Sequence, residues 1–308
     1  MKAVLVFIVG VASLLANDVH VEHHCFPYWH DTLTIDKMVF EEQTEDHFVR
    51  IFDNQRFGRI LTLDGKIQFT EVEEFAYHEM LVHVPMVAHP HPRHVLIIGG
   101  GDGGSLREVL KHSTVEKATL VDISREVIDY SQKYLPSVSD GAFDDPRSHV
   151  IIQDGIDFIA NTHEKFDVII CDSTDPTGPA KPLFSSQFYG LCQKALNPDG
   201  IMVNNSFHPS HEKETFLHYF KNRSDHFKDT RHYMISLPST EGGFLRAGID
   251  FGWATNSDIY KTFSKKKLHK RAQEIRGKLK FYNPEIHKAA FVLPEDTKRM
   301  GLNTIYQK

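Results

Sequence analysis

The sequence predicts an α/β protein in which a small antiparallel β domain precedes a doubly wound, Rossmann-like sheet. Before about residue 85, apolar residues fall in short alternating runs, as in strands with one buried face. After His94, continuous apolar runs such as residues 95–98 alternate with helical segments. Continuous runs are typical of parallel strands that are buried on both faces.

The first domain is expected over residues 26–85. Its predicted strands are followed by one helix at 72–87, and Asp64-Gly65 between apolar runs predicts a hairpin turn. The four strands are predicted at residues 32–35, 37–40, 48–52 and 59–63.

The second domain is expected over residues 86–308. Helices are predicted at 106–111 and 126–134, between strands of the sheet. The strands are predicted at residues 95–98, 118–121, 150–152, 168–171 and 200–203.

Residues 1–25 are expected to form a signal-like or extra N-terminal segment. Lys2 is followed by a short apolar run that ends in the small residue Ala16, a pattern similar to a signal peptide. A buried strand or a translated upstream extension would give the same pattern. The run is shorter than the ~20 residues of a membrane span.

Composition argues against two classes of partner. The 308 residues carry a net charge of −6, whereas a nucleic-acid-binding protein usually has a basic face. We therefore expect no nucleic-acid partner, and the shortness of the N-terminal apolar run leads us to expect no membrane partner. The three cysteines, Cys25, Cys171 and Cys192, do not form a disulfide framework, and no metal site is expected, even where histidines cluster near Cys25.

A glycine-rich turn follows the first strand of the second domain. Residues 99–104 read Gly-Gly-Gly-Asp-Gly-Gly, which satisfies the GxGxxG spacing, and Asp122 ends the next strand. Glycines there allow a ligand to approach the backbone, and the carboxylate can accept from ribose hydroxyls. Asp102 would repel a pyrophosphate but attract a sulfonium, so the turn favours an S-adenosyl ligand over NAD.

Further carboxylates follow the later strands. Asp154-Gly155 ends one strand, where a carboxylate can meet an adenine amino group, although Asp-Gly is also a common turn. Asp172 and Asp175 follow the next strand, with Pro176 behind them. Because ligands of such sheets bind beyond the carboxyl ends of the strands, we expect an acidic pocket that suits cationic substrates.

Five motifs resemble those of the spermidine synthase family, and the resemblance extends from about residue 28 to residue 294. They are Gly-Gly-Gly-Asp-Gly-Gly at 99–104, Asp-Ser-Thr-Asp-Pro at 172–176, Leu-Asp-Gly-Lys-Ile-Gln at 63–68, Glu-Phe-Ala-Tyr-His-Glu-Met at 74–80 and Tyr-Asn-Pro-Glu-Ile-His at 282–287. The resemblance implies transfer of the aminopropyl group of decarboxylated S-adenosylmethionine to putrescine or a related amine. The products would be spermidine and methylthioadenosine.

The resemblance also implies residue roles. Asp172 would be the catalytic base that takes the proton of the attacking amine. Tyr77, His78, Asp175 and Thr240 would bind the amine substrate. The S-adenosyl co-substrate would be bound by residues Gly99, Gly101, Asp102, Asp122, Asp154, Gly155 and His47. No cofactor or metal is implied, because the sulfonium is already a good leaving group.

Two positions depart from the family pattern. His47 stands where the family usually has Gln, and Thr240 stands where it usually has the Tyr of Pro-Thr-Tyr. The missing Tyr would have supplied an aromatic wall and a hydroxyl for the amine. The identity of the amine is therefore the open question.

Other activities remain open at this stage. An S-adenosylmethionine-dependent amine N-methyltransferase or a non-catalytic polyamine-binding relative could use the same scaffold. By resemblance we expect a homodimer or homotetramer. Decarboxylated S-adenosylmethionine is a cytosolic metabolite, so we expect a cytoplasmic protein, with export as the alternative that the N-terminal run suggests.

Overall fold

The computed structural model describes residues 18–23, 30–176, 178–207, 209, 213–235, 249–259 and 264–300. The signal-like run and Thr240 lie outside the described residues. The chain divides into two compact units, Met1–Glu74 and Phe75–Lys308. The division falls at the beginning of a helix, whereas the expected boundary at residue 85 falls near the end of that helix.

The described part of the first unit is antiparallel β structure, as predicted. Strands β1 (Val19–His23) and β2 (His30–Thr34) pair with each other, and a second sheet has the order β3-β4-β5-β6. The predicted hairpin at Asp64-Gly65 joins β5 to β6; both turn residues have positive φ, 53° and 77°, as a type I′ turn requires. The strands of the second sheet are β3 (Lys37–Gln43), β4 (Phe48–Asn54), β5 (Gly58–Leu63) and β6 (Lys66–Thr70).

The second unit is built on a seven-stranded sheet of order β12-β13-β11-β10-β7-β8-β9. The five strands from β11 to β9 are parallel, which confirms the Rossmann-like prediction. Strands β12 and β13 add an antiparallel edge that the sequence did not predict. The strands are β7 (His94–Gly99), β8 (Lys117–Asp122), β9 (Ser148–Ile152), β10 (Phe166–Asp172), β11 (Leu196–Ser206), β12 (Asp229–Ile235) and β13 (Ile249–Thr255).

Helices cover the faces of this sheet. The first helix, α1, buries Met80, Leu81 and Val84 in the same core as Val95 and Ile97 of β7. None of the described helices is both long and apolar enough to cross a membrane. The helices are α1 (Glu74–Ala88), α2 (Gly104–Leu110), α3 (Arg125–Tyr134), α4 (Pro136–Ser139), α5 (Gly155–Asn161), α6 (Ser186–Ala195), α7 (Lys213–Ser224), α8 (Lys265–Ala272), α9 (Pro284–Ala290) and α10 (Glu295–Arg299), with 3₁₀ turns at Ala142–Asp144 and Gly178–Phe184.

Gly99, at the end of β7, is a position that only glycine fits. Its φ is +80°, and a Cβ atom there would lie 2.1 Å from the backbone oxygen of Asp172. Gly141 has nearly the same φ, +77°, but a Cβ atom there would meet nothing within 4 Å. A comparison of the two positions therefore separates the cost of placing a side chain on a residue with positive φ from the cost of a steric clash.

We expect Gly99→Ala to lower the free energy of unfolding more than Gly141→Ala. Both substitutions place alanine in the left-handed region, at a cost of about 1–2 kcal/mol. Only in Gly99→Ala would the new Cβ atom also clash with the Asp172 backbone, and such overpacking costs about 1–3 kcal/mol more. Urea unfolding of both variants measures the difference, and equal losses would contradict the close approach of Gly99 to Asp172.

Candidate active site

The structure places four predicted carboxylates at one edge of the parallel sheet. Asp172 and Asp122 end strands β10 and β8, Asp102 follows β7, and Asp154 follows β9. These strands are neighbours in the order β10-β7-β8-β9, so their carboxyl ends lie side by side. We call these four residues the acidic edge.

Asp172 is held by two hydroxyl groups. The Tyr77 hydroxyl donates to Oδ1 of Asp172 at 2.7 Å, and the Ser105 hydroxyl donates to Oδ2 at 2.6 Å. The backbone N–H of Gly100 donates to the Asp172 carbonyl oxygen at 2.8 Å. Helix α1, helix α2 and the glycine turn therefore each fix one part of this residue.

The surroundings of Asp172 make its carboxylate more basic than usual. Burial and the negative charge of Asp102 raise the pKa of Asp172, while His78 and the Ser105 and Tyr77 hydroxyls oppose the rise. Burial, and then the charge of Asp172, raises the pKa of Tyr77 well above that of an ordinary tyrosine. Tyr77 therefore stays protonated and remains a hydrogen-bond donor to Asp172 at neutral pH.

Asp102 lies in the glycine turn beside His78. Its Oδ1 accepts from the backbone N–H of Gly104 at 2.6 Å and lies 3.5 Å from Nε2 of the buried His78. A Cβ atom at Gly104 would lie 2.3 Å from the His78 ring, so glycine is required where the ring covers the turn. His78 and Asp102 are thus brought together, as are Tyr77 and Asp172.

Asp122 and Asp154 extend the acidic edge away from Asp172. Asp122 lies against the glycine turn, because a Cβ atom at Gly101 would be 2.8 Å from its Oδ2. Asp154 caps helix α5, and its Oδ1 accepts from the backbone N–H groups of Ile156 and Asp157 at 2.7 and 3.0 Å. Gly155 allows close packing, since a Cβ atom there would be 2.4 Å from Cγ2 of Ile98.

The remaining predicted site residues are placed differently. Asp175 is exposed and lies three residues beyond Asp172 on the same loop. His47 belongs to the first unit, where its Nδ1 lies 2.8 Å from Oδ2 of Asp64. Its role, like that of Thr240, stays a prediction.

Sequence reasoning missed Ser105. The residue is fully buried, with 0% of its surface exposed, and it bonds a carboxylate 67 positions away. Its place in the first helical turn after the glycine run was the only local signal, and a serine there equally suits a helix start.

The acidic edge is suited to cationic ligands. A carboxylate with a raised pKa is a better proton acceptor than an ordinary one. The other carboxylates lie where nucleoside ligands of doubly wound sheets bind. Fold and site together define the class: a Rossmann-like protein whose acidic edge suits cationic ligands.

Comparison with known proteins identifies the family. Residues 74–257 match the spermine/spermidine synthase domain, and residues 19–71 match the spermidine synthase tetramerisation domain. The chain belongs to the spermidine synthase family.

Curated relatives and solved structures agree with this assignment. Polyamine aminopropyltransferases of Salmonella paratyphi B and Salmonella typhimurium are both 42% identical over 275 residues, which is 87% of this chain and 95% of theirs. A spermidine synthase in complex with the transition-state analogue AdoDATO has a TM-score of 0.85 at 36% identity, covering 92% of this chain and 95% of its own. Spermidine synthase from Thermotoga maritima has a TM-score of 0.83 at 35% identity, covering 93% and 95%.

Proposed function

We propose that the protein uses Asp172 as the base in aminopropyl transfer from decarboxylated S-adenosylmethionine to putrescine or a related amine. The protein is an aminopropyltransferase, as its family membership and its curated relatives establish. The observation that carries the role of Asp172 is its geometry. Its carboxylate is buried, accepts from Tyr77 and Ser105, and stands at the carboxyl edge of the sheet.

The proposed step is a direct displacement. The amine nitrogen attacks the aminopropyl carbon that is bonded to the sulfonium, and a C–N bond forms as the C–S bond breaks. The electron pair of the C–S bond returns to sulfur, which leaves as the neutral thioether of methylthioadenosine. The nitrogen loses one proton to Asp172. Since an alkylammonium titrates at about 10, the substrate is protonated at neutral pH, and the nitrogen must lose this proton before its lone pair can attack.

The remaining residues are proposed to bind and orient the two substrates. Asp102 holds the ammonium of the aminopropyl group, with His78 beside it, and Asp175 holds the distal ammonium of the amine. Asp122 accepts from the ribose hydroxyls at the turn formed by Gly99 and Gly101. Asp154 accepts from the adenine amino group through Oδ2, because its two cap bonds use Oδ1.

A panel of acceptors tests the proposed substrate class. With decarboxylated S-adenosylmethionine, putrescine should give a higher kcat/KM than butylamine, which has the same carbon chain but lacks the second ammonium that Asp175 would hold. Cadaverine should follow putrescine, and carboxylated amines should react poorly beside an acidic edge. Preference for a carboxylated amine, or equal use of putrescine and butylamine, would contradict the proposal.

We also propose that the chain forms a homodimer or homotetramer in the cytoplasm. The match of residues 19–71 to a tetramerisation domain supports an oligomer, as do Val19 and Val21 of β1, which are 47% and 37% exposed. Light scattering measures the oligomer, and a monomeric mass would contradict it.

N-terminal sequencing of protein from its native host tests the location, because removal of the signal-like run would indicate export.

A further inference from the structure

We propose that Asn205 is a positioning residue that holds the loop carrying Asp172, an inference that rests on the proposed function. Asn205 lies near the end of β11, next to this loop. Its Nδ2 donates to the Ser173 carbonyl oxygen at 2.9 Å, and the Ser173 hydroxyl donates to its Oδ1 at 3.3 Å. The side-chain amide thus bonds both the backbone and the side chain of the residue that follows Asp172.

The Asn205 contact completes a clamp on two consecutive carbonyl groups. The Asp172 carbonyl accepts from the N–H of Gly100, and the Ser173 carbonyl accepts from Asn205. Gly100 follows β7 and Asn205 belongs to β11, the strands on either side of β10. Two donors from opposite sides thus fix the two consecutive peptide groups that follow Asp172. They restrict the direction in which the Asp172 side chain leaves the backbone.

Asn205 is itself held by a buried network. The Nδ2 atom of Asn204 donates to the Asn205 carbonyl oxygen at 2.5 Å, and the Oδ1 atom of Asn204 accepts from Nη1 of Arg223 at 3.1 Å. Arg223 is only 1% exposed, and a Cβ atom at Gly252 would lie 1.9 Å from its Nη1. This packing leaves the end of β11 little freedom to shift.

The same strand end reaches Asp172 by a second route. Asn205 pairs with Phe251 of β13, and the Phe251 ring packs on the Tyr77 ring with centroids 5.6 Å apart. Tyr77 in turn donates to Asp172. Asn205 therefore stands at the junction of the contacts that hold the Asp172 backbone and those that hold its carboxylate.

A positioning role predicts a particular kinetic signature. Loss of the amide should displace the Asp172 loop without moving Asp122, which ends β8, or Asp154, which follows β9. Misplacement of a reacting group by about 1 Å can cost on the order of 100-fold in rate. We expect Asn205→Ala to lower kcat by about 10- to 100-fold, with KM for decarboxylated S-adenosylmethionine within about twofold of wild type.

Steady-state kinetics of the full-length chain, together with urea unfolding, tests this expectation. Gln193→Ala is the matched control, because the Gln193 amide also donates to a backbone carbonyl, that of His226 at 2.7 Å. Gln193 lies on α6 just before β11 begins, whereas Asn205 lies near the end of β11. Ser173→Ala removes the hydroxyl bond and keeps the carbonyl bond, so its loss of kcat should be smaller than that of Asn205→Ala. If the alanine variant does not fold, Asn205→Thr replaces it in the test, because threonine suits a strand but lacks the amide.

The outcomes are distinct. A fall in kcat for the Asn205 variant, well beyond that of Gln193→Ala at equal unfolding free energy, supports the inference. Equal kcat for the two variants overturns it, as does a fall in kcat that merely follows lost stability. Wild-type protein that forms no aminopropylated product would instead overturn the proposed function.

Discussion

Asp172→Asn should lower kcat by about 100- to 10,000-fold, the usual contribution of a general base. Asparagine has nearly the same shape and can still accept from Tyr77 or Ser105, so the loop should keep its place. It cannot accept the proton of the amine. Steady-state assays of spermidine formation measure the loss. KM for both substrates should change far less than kcat.

The pH dependence separates loss of a base from general damage. In wild-type protein the rate should fall at acid pH as Asp172 becomes protonated, at a pH above that of an ordinary carboxyl because its pKa is raised. The residual rate of Asp172→Asn should instead rise with pH as the free amine forms in solution. Asp225→Asn, which alters only an exposed pair with Lys221, is the control. Turnover of Asp172→Asn near the wild-type rate would refute the assigned base.

Asp102→Asn should raise KM for decarboxylated S-adenosylmethionine by about 10- to 100-fold, as expected when a hydrogen bond between charged groups is lost. The asparagine oxygen can still accept from the N–H of Gly104, so the turn should stay folded. The substitution should also move the acid limb of the rate profile to lower pH. The sign follows because the charge of Asp102 raises the pKa of Asp172 and its removal lowers that pKa.

Asp122→Asn is the informative comparison for this second effect. Asp122 is proposed to bind neutral ribose hydroxyls, whereas the charge that most raises the pKa of Asp172 is that of Asp102. Its substitution should raise KM while the acid limb stays at the wild-type pH. If Asp102→Asn leaves the acid limb where it is, the electrostatic coupling between Asp102 and Asp172 is contradicted.

The parallel core was predictable because its signals are local. Residues 95–98 are buried on both faces of the sheet, and their sequence is a continuous apolar run. The hairpin at Asp64-Gly65 needs two positive φ angles, and Asp-Gly is one of the few dipeptides that tolerate them.

The antiparallel edge was missed because strand β12 buries polar residues, which are paired within the strand and with the neighbouring strand. Strand β12 contains Asp229, Arg231 and His232, which a pattern search does not take for a buried strand. In the structure Arg231 pairs with Asp229 at 2.8 Å, and His232 pairs with Asp250 of β13 at 2.7 Å. No local feature of the sequence predicts the pairing between the two strands.

The candidate site, like the fold, was predictable only where its signals are local in the sequence. The carboxylates of the acidic edge follow strands, so their position could be inferred from strand ends alone. The groups that hold Asp172 could not, because Ser105 and Tyr77 are 67 and 95 positions away in the chain. Their contacts depend on how helices α1 and α2 pack on the sheet.

The most direct test of aminopropyl transfer is the mass of the product that purified protein forms from putrescine. The protein should be offered decarboxylated and intact S-adenosylmethionine together, with Asp172→Asn run in parallel. We predict that wild-type protein adds one aminopropyl group and that the variant does so far more slowly. Addition of a single methyl group, or no modified amine at all, would contradict the assignment.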